Sequence, residues 1–254
     1  MFDINFAELL TFASLTAFLT LASLEIVLGI DNIVFIAILT GKLPPEQQSR
    51  ARKLGLLGAM GMRIVMLLGL GFIMGLTKPL FTFWGHEYSW KSVILIVGGL
   101  FLVAKATYEI HHRIGPDAEG TGPKKRVASF SAAIAQIMMI DIIFSLDSVI
   151  TAVGMAKHIE IMIAAVVVSV IVMMLFADPI SHFIEKNPTV KMLALAFLVL
   201  IGVMLIADGM GHHVPKGYIY FAIAFSLFVE FLNIAASRRK KVAHKPGTEA
   251  GMPL

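Results

Sequence analysis

Two acidic motifs, Glu25-Ile-Val-Leu-Gly-Ile-Asp31-Asn32 and Asp141-Ile-Ile-Phe-Ser-Leu-Asp147-Ser148, interrupt segments that are otherwise apolar and long enough to cross a membrane. Each motif consists of an acid, an aspartate six positions later, and then a small polar side chain. Ionised carboxylates are costly in hydrocarbon, so they persist mainly in a protein interior or a watery cavity, usually as functional groups. The duplicated motif therefore predicts one internal site that two halves of a membrane protein build together.

The composition is typical of an integral membrane protein. Of 254 residues, 57% are hydrophobic and only 15% are charged, whereas a soluble domain has about 25% charged residues. The mean hydropathy is +0.84. The chain has no cysteine, which excludes disulfides and thiolate metal sites, so a bound metal would need oxygen or imidazole ligands.

Seven apolar segments reach the length of about 20 residues that a spanning helix needs. They lie near 8–39, 54–77, 91–110, 129–154, 160–181, 190–209 and 216–236. Lys and Arg concentrate in the loops on one side of these segments and after the last one. The positive-inside rule then predicts an external N-terminus and a cytoplasmic C-terminus in a bacterial inner membrane. We interpret these basic residues as topology signals and expect no nucleic-acid binding.

Further internal similarity extends the repeat beyond the acidic motifs, since residues 62–68 resemble 169–175 and residues 99–105 resemble 202–208. A repeat of three helices must insert with opposite orientation in the two halves, as in many secondary transporters. We therefore expect an all-α polytopic membrane protein of seven helices. Its predicted parts are a first transmembrane repeat (8–110), a cytoplasmic linker (111–128), a second repeat (129–209), an additional helix (216–236) and a basic, disordered cytoplasmic tail (237–254).

The side chains of the acidic motifs predict a cation site. On an ideal helix, two residues six positions apart differ by about 240° in rotation, so Glu25 and Asp31 would not share a face. A break at Gly29 would bring both to one cavity and free backbone carbonyls as ligands. An all-oxygen ligand set suits Mg²⁺, Ca²⁺ or Mn²⁺. The expected metal ligands are Asp31, Asn32, Asp147 and Ser148, with Glu25 and Asp141 as ligands or proton carriers. Alternatively, these acids bond to the backbone or pair with Arg63 and Lys105 and hold helices together.

Further charged residues of the predicted spans are candidates for pairing with the acids or with each other. Arg63 lies roughly mid-span and is expected to neutralise one of the four acids. Lys105 and Asp208 occupy equivalent repeat positions and are predicted to pair, unless Lys105 extends to the cytoplasmic interface. The pairs His111-His112 and His212-His213 recur in loops, either as a metal entry or as exposed loop residues.

Together these residues resemble the TerC integral membrane protein family. The resemblance is carried by the two acidic motifs, by Arg63, and by Gly98-Gly99, Lys105, Glu109 and His111 on the third predicted helix. It covers residues 8–236 and is to the short form without appended cytoplasmic domains. The resemblance implies manganese efflux, and the family is also associated with tellurium resistance.

These observations predict a secondary transporter that exports a divalent metal cation, foremost Mn²⁺, and that is not an enzyme and has no cofactor. Moving a divalent cation outward costs about 4.6 kcal/mol per 100 mV, and the sequence has no ATPase motif, so we expect proton antiport. The expected partners are the metal ion, protons and the lipid bilayer, with homo-oligomer formation left open. Two alternatives remain: a non-transporting membrane partner in a tellurium-stress or membrane-protein complex, and an intramembrane enzyme with paired aspartates.

Overall fold

The computed structural model describes residues 11–83, 85–114, 129–155 and 158–243, and almost all of them are helical. The helices are α1 (Phe12–Thr40), α2 (Pro45–Leu68), α3 (Leu70–Gly75), α4 (Trp90–Ile114), α5 (Phe130–Met155), α6 (Ile159–Lys186), α7 (Pro188–Gly209) and α8 (Lys216–Ala243). Two short antiparallel strands, β1 (Pro79–Phe83) and β2 (His86–Ser89), form a hairpin before α4. The predicted all-α polytopic fold is confirmed, and the hairpin is an addition to it.

Local sequence signals set several helix boundaries. Thr11 caps α1, because its Oγ1 accepts a hydrogen bond from the backbone N–H of Ser14 at 3.2 Å. A proline occupies the first turn of α2 and of α7, where its missing N–H is not needed. In the hairpin, Gly85 has a φ of 79°, which favours glycine, and the Phe81 and Tyr88 rings stack at 5.3 Å.

Six described helices are long and apolar enough to cross a membrane: α1, residues 90–112 of α4, residues 130–150 of α5, α6, α7, and residues 217–236 of α8. The segment 54–77, predicted as a span, is divided at Gly69 between α2 and α3. Helix α2 is not among the six because Arg52, Lys53 and Arg63 interrupt its apolar sequence. The number of seven spans therefore stays a prediction.

One predicted interruption is absent from the described helices. Helix α1 runs without a break through Gly29, so the break expected there was wrong. A Cβ at Gly29 would lie 2.3 Å from Met173 Sδ on α6, so this glycine allows α1 and α6 to approach closely. Helix α6 also continues through Asp178-Pro179 to Lys186, which membrane helices tolerate where neighbours satisfy the freed backbone groups.

The last helix reaches further than the sequence analysis predicted. Helix α8 ends at Ala243, so residues 237–243 of the predicted disordered tail are helical. Alanine, lysine and arginine have high helix propensities, and basic residues stabilise a helix C-terminus, which explains the extension. Residues 244–254, and residues 115–128 of the predicted linker, lie outside the described residues. The described residues after Val214 form a compact unit of their own.

Within the larger unit, the most extensive helix contacts join the two predicted repeats. Helix α4 packs on α7, α1 packs on α6, and α2 packs on α5 and α6. The unit thus contains a four-helix group (α1, α2, α5 and α6) and a helix pair (α4 and α7). Large apolar side chains stay exposed on the outer faces, as expected of surfaces that lipid covers, for example Val65, Phe72, Leu175 and Val203.

Candidate functional site

A buried arginine in the four-helix group binds one acid from each motif. Arg63 Nε donates to Asp141 Oδ2 at 3.0 Å, and Nη2 donates to Oδ1 at 2.6 Å. The Nη1 of the same guanidinium donates to Glu25 Oε2. Arg63 is 3% exposed, and both acids are 5% exposed. Bidentate charge-assisted bonds of this kind are strong and directional, so the triad joins α1, α2 and α5.

Small residues on one face of α2 bring Arg63 within reach of Asp141. The buried stripe of this helix includes Gly55, Ala59 and Arg63, spaced four residues apart. A Cβ at Gly55 would lie 2.9 Å from Ile137 Cδ1, and one at Gly58 would lie 3.0 Å from Met138 Sδ. The two glycines therefore let the α2 backbone lie close to α5, which places the arginine one turn further along, beside the acidic motif.

Asp141 is the centre of the polar cluster. Asn32 Nδ2 donates to its Oδ1 at 3.1 Å, and Ser145 Oγ donates to its Oδ2 at 3.0 Å. With the two bonds from Arg63, both carboxylate oxygens accept two hydrogen bonds each, which suits the ionised form. The sequence analysis did not assign Ser145 to the site. Its position four residues after Asp141, on the same helix face, was the available signal.

The Asn32 amide nitrogen donates a hydrogen bond, whereas its amide oxygen has no described hydrogen-bond partner. The residue is 6% exposed, and its Oδ1 has no hydrogen-bond partner among the described residues. Asn32 also lines a cavity about the size of one water molecule, together with Phe35, Ile36, Ala59, Ile137, Ile140 and Asp141. A buried amide oxygen without a partner is costly, by about 1–3 kcal/mol, and oxygen is the ligand type that hard divalent cations prefer.

Of the other predicted ligands, the structure describes the side chain of Ser148 but not those of Asp31 and Asp147. Ser148 is buried, and its Oγ donates to the Ser145 carbonyl at 3.3 Å. The backbones of Asp31 and Asp147 continue α1 and α5, but the predictions for these two side chains lie outside the described part of the structure. Within that part, no three His, Asp or Glu side chains are arranged to hold a metal ion.

The predicted pair of Lys105 and Asp208 was wrong. Both residues are described, no ion pair joins them, and Asp208 Oδ1 instead contacts His213 Nδ1 at 3.2 Å. The reason lies in how α4 and α7 cross. A Cβ at Gly99 would lie 2.5 Å from the Gly202 carbonyl oxygen, so the two backbones are in close contact there.

The two helices of the pair run antiparallel, because Gly209 faces Ser92 and Ile96 while Gly202 faces Gly99 and Val103. Lys105 lies six residues after Gly99 on α4, and Asp208 lies six residues after Gly202 on α7. Because the helices are antiparallel, the two residues lie on opposite sides of the Gly99–Gly202 contact. At 1.5 Å per residue they are separated by roughly 18 Å along the axis. The antiparallel crossing therefore keeps the two side chains apart.

A second polar cluster, centred on Asp178, lies near the start of α2. Arg52 Nε contacts Asp178 Oδ1 at 2.7 Å, and Ser49 Oγ donates to Oδ2 at 2.8 Å. Lys42, in the loop between α1 and α2, forms an ion pair with Glu109 of α4. The Asp178 side chain is 38% exposed, so this cluster has access to water and differs from the buried cluster around Arg63.

The recurring histidines are exposed at both predicted loop positions. His111 and His112 lie in the last turns of α4 rather than in a loop, and His112 Nδ1 contacts the Tyr108 carbonyl at 3.1 Å. The His212 ring lies edge-on to His86 of the hairpin, with 5.8 Å between the ring centroids. Whether these histidines bind a metal stays a prediction.

A helical membrane protein with a buried charged cluster is the class that this fold and site define. The particular family follows from comparison with known sequences, because the model of the integral membrane protein TerC family matches residues 10–245. The chain belongs to the TerC family. No solved structure matches the chain.

Two of the sequences to which this chain is similar are named inner membrane proteins. The UPF0053 inner membrane protein YgdQ of Escherichia coli (strain K12) is 54% identical over 220 residues, which cover 87% of this chain and 92% of YgdQ. A UPF0053 protein of Haemophilus influenzae is 52% identical over 222 residues, 87% of this chain and 94% of that protein. The UPF0053 inner membrane protein YoaE of Escherichia coli (strain K12) is 48% identical over 227 residues, 89% of this chain and 44% of YoaE.

Proposed function

We propose that this chain is a secondary transporter that exports a divalent metal cation, foremost Mn²⁺, across the inner membrane. The observation that carries the proposal is the buried polar cluster in which Glu25 and Asp141, one acid from each motif, lie on the same arginine. In the membrane interior, ionisable groups of this kind are rare and mark ion pathways or relays. The contacts of α1 with α6 and of α2 with α5 support an inverted repeat around this cluster.

Formal charge supports a cationic substrate. If all groups are ionised, Arg63 offsets only one of the charges on Glu25 and Asp141. Asp31 and Asp147 lie in the same two motifs and add two more negative charges. Uncompensated charge in a low-dielectric interior is unfavourable, so this site favours a divalent cation, protons, or both. Asn32 Oδ1, buried and without a described partner, adds a neutral oxygen ligand of the type that Mn²⁺ accepts.

Proton antiport is the coupling that these groups support. Export of a divalent cation against the membrane potential needs about 4.6 kcal/mol per 100 mV. Carboxylates can bind either the metal ion or protons, and exchange between the two drives the metal outward. Because Arg63 holds Glu25 and Asp141, we assign the proton exchange to Asp31 and Asp147. The proposed orientation has the N-terminus outside and the C-terminus in the cytoplasm. No enzymatic reaction is proposed.

A non-transporting membrane partner is the second candidate. It is favoured by the saturation of Asp141, whose two oxygens already accept four hydrogen bonds. A buried carboxylate whose oxygens are all hydrogen-bonded can specify helix packing without binding a ligand. This candidate does not need the other two aspartates to ionise or to contact a cation.

Purified protein in liposomes separates the two candidates. Mn²⁺, Mg²⁺, Ca²⁺ and Zn²⁺ are offered in turn, with an imposed pH gradient and a metal-sensitive dye inside the vesicles. The proposal predicts Mn²⁺ movement that reverses direction when the pH gradient is reversed. If vesicles with the protein are as impermeable to all four ions as protein-free vesicles, the result supports the partner candidate.

A further inference from the structure

The guanidinium of Arg63 occupies the position that a transported cation needs. We propose that Arg63 is a resident cation: it holds Glu25 and Asp141 while the site is empty, and the arriving divalent cation displaces it from Asp141. The inference rests on the proposed function and deepens it by naming the group that competes with the metal ion. Here Arg63 acts on the substrate through the carboxylates, so it is a positioning residue.

The contacts of Asp141 require such a displacement. Two nitrogens of Arg63 lie 3.0 and 2.6 Å from its two oxygens. A Mn²⁺ or Ca²⁺ ion bound to the same oxygens would be at a distance of roughly 2.1–2.6 Å. The ion and the guanidinium would then be adjacent positive charges in a dry interior, which is strongly unfavourable. Asp141 can therefore hold Arg63 or a divalent cation, but not both.

The structure offers a cation a small cavity beside Asp141. The water-sized cavity is lined by Asp141, Asn32 and Ala59. Ala59 precedes Arg63 by one helical turn on the same buried face of α2. Asn32 contributes a second indication, since it is buried and its Oδ1 has no described partner. An ion in this cavity could therefore contact oxygen ligands of Asp141 and Asn32 without first passing the guanidinium.

Only one half of the chain supplies this resident cation. The repeat pairs residues 62–68 with 169–175, so the position equivalent to Arg63 is Val170, which is 1% exposed. A single arginine therefore serves acids from both halves. This asymmetry fits a single positive group that neutralises the acids of both halves while no metal ion is bound. It also has a consequence for the transport cycle. Net efflux requires the metal-free, proton-loaded carrier to reorient with Arg63 on Glu25 and Asp141, whereas metal-for-metal exchange never passes through that state.

The test measures Mn²⁺ binding to purified full-length protein by titration calorimetry. Arg63→Lys is the decisive variant because it keeps the charge but cannot make two parallel bonds to Asp141. We expect Arg63→Lys to bind Mn²⁺ several-fold more tightly than wild type, and Arg63→Gln on the order of tenfold more tightly or beyond. Arg52→Gln is the matched control, because Arg52 is a buried arginine on the same helix that binds a different acid. Its affinity for Mn²⁺ should equal that of wild type.

Transport adds a readout that a structural role of Arg63 would not change. In liposomes, Arg63→Gln should keep Mn²⁺-for-Mn²⁺ exchange and lose most net efflux. Equal or weaker Mn²⁺ affinity in Arg63→Lys, or parallel loss of exchange and net efflux in the Arg63 variants that fold, would overturn the inference. If Arg63→Gln does not fold, the affinity of Arg63→Lys decides alone. A wild-type protein that neither binds nor moves Mn²⁺ would instead refute the proposed function itself.

Discussion

The four-helix group and the helix pair both join the two predicted repeats, but they do so through different interactions. In the four-helix group, Arg63 connects Glu25 and Asp141 in a buried cluster. In the helix pair, α4 and α7 meet backbone to backbone at Gly99 and Gly202, and their charged residues lie away from the crossing. The described buried charge of the helix pair is Glu109, near the C-terminal end of α4, which pairs with Lys42 in the loop after α1. This difference is the reason why the proposed ion site is assigned to the four-helix group.

The largest expected effect is loss of the arginine in the four-helix group. Arg63→Met should lower the free energy of unfolding by about 3–5 kcal/mol, because two buried acids lose their only described cation. Thermal melts in one detergent would show this as a large drop in the midpoint. Lys105→Met in the helix pair is the control and should cause a much smaller drop. Equal midpoints for Arg63→Met and wild type would contradict the buried triad.

The next effect concerns the crossing of the helix pair. In Gly99→Ala, the new Cβ would lie 2.5 Å from the Gly202 carbonyl oxygen and 3.0 Å from the Ile206 nitrogen. Backbone atoms cannot move aside easily, so we expect a loss of about 1–3 kcal/mol in the same melts. Gly71→Ala is the matched control, since no described atom lies within 4 Å of its Cβ position. If both alanine variants melt alike, the two helices are not in backbone contact.

A smaller effect separates the two arginines of α2. Arg52→Gln should cost about 1 kcal/mol or less, because the Asp178 side chain is 38% exposed and water can solvate it once the ion pair is lost. Both variants are measured in one series of thermal melts. The loss of stability in Arg52→Gln is then compared with that in Arg63→Met, which compares a water-accessible cluster with a buried one. A loss from Arg52→Gln as large as that from Arg63→Met would show that the Asp178 cluster is shielded from water.

The smallest expected effect is the coupling between Lys105 and Asp208. Because the residues are separated by roughly 18 Å along the helix pair, the losses from Lys105→Met and Asp208→Leu should add to within about 0.5 kcal/mol. The two single variants and the double variant are compared in melts. A double variant that recovers stability lost by the single ones would mean that the side chains meet, and that the crossing described here is wrong.

Local rules predicted most of the helices because each one carries its own signals. Apolar runs of spanning length gave helices close to α4, α5 and α7, and the acidic motifs identified Glu25 and Asp141 before any contact was known. The hairpin was missed, although Phe81, Thr82 and Phe83 favour strands and Gly85 favours a turn. These signals are short, and they were overlooked between two apolar segments.

Contacts between helices could not be predicted from local patterns. Gly29 was expected to break α1, but its role depends on Met173 of another helix, which no local pattern shows. The pairing of Lys105 with Asp208 followed from repeat equivalence alone, and the antiparallel crossing separates them. Arg63 was expected to bind one of four acids. Which two it contacts depends on how closely α2 approaches α5, and this is set by Gly55 and Gly58.

The central claim is that the duplicated carboxylates bind and export the metal ion. It is tested most directly by Mn²⁺ accumulation in cells that express equal amounts of wild type, Asp31→Asn, Asp147→Asn and, as control, Asp208→Asn. Asn keeps the size of Asp and removes its charge, so a hard cation should lose much of its binding energy while the helices still pack.

The account predicts that Asp31→Asn and Asp147→Asn insert into the membrane but do not export Mn²⁺. Cells that express either variant should accumulate as much Mn²⁺ as cells without the protein, whereas cells that express Asp208→Asn should be protected as wild-type cells are. Full protection by both motif variants would contradict the account, because the carboxylates would then be structural and the chain would be a membrane partner rather than an exporter.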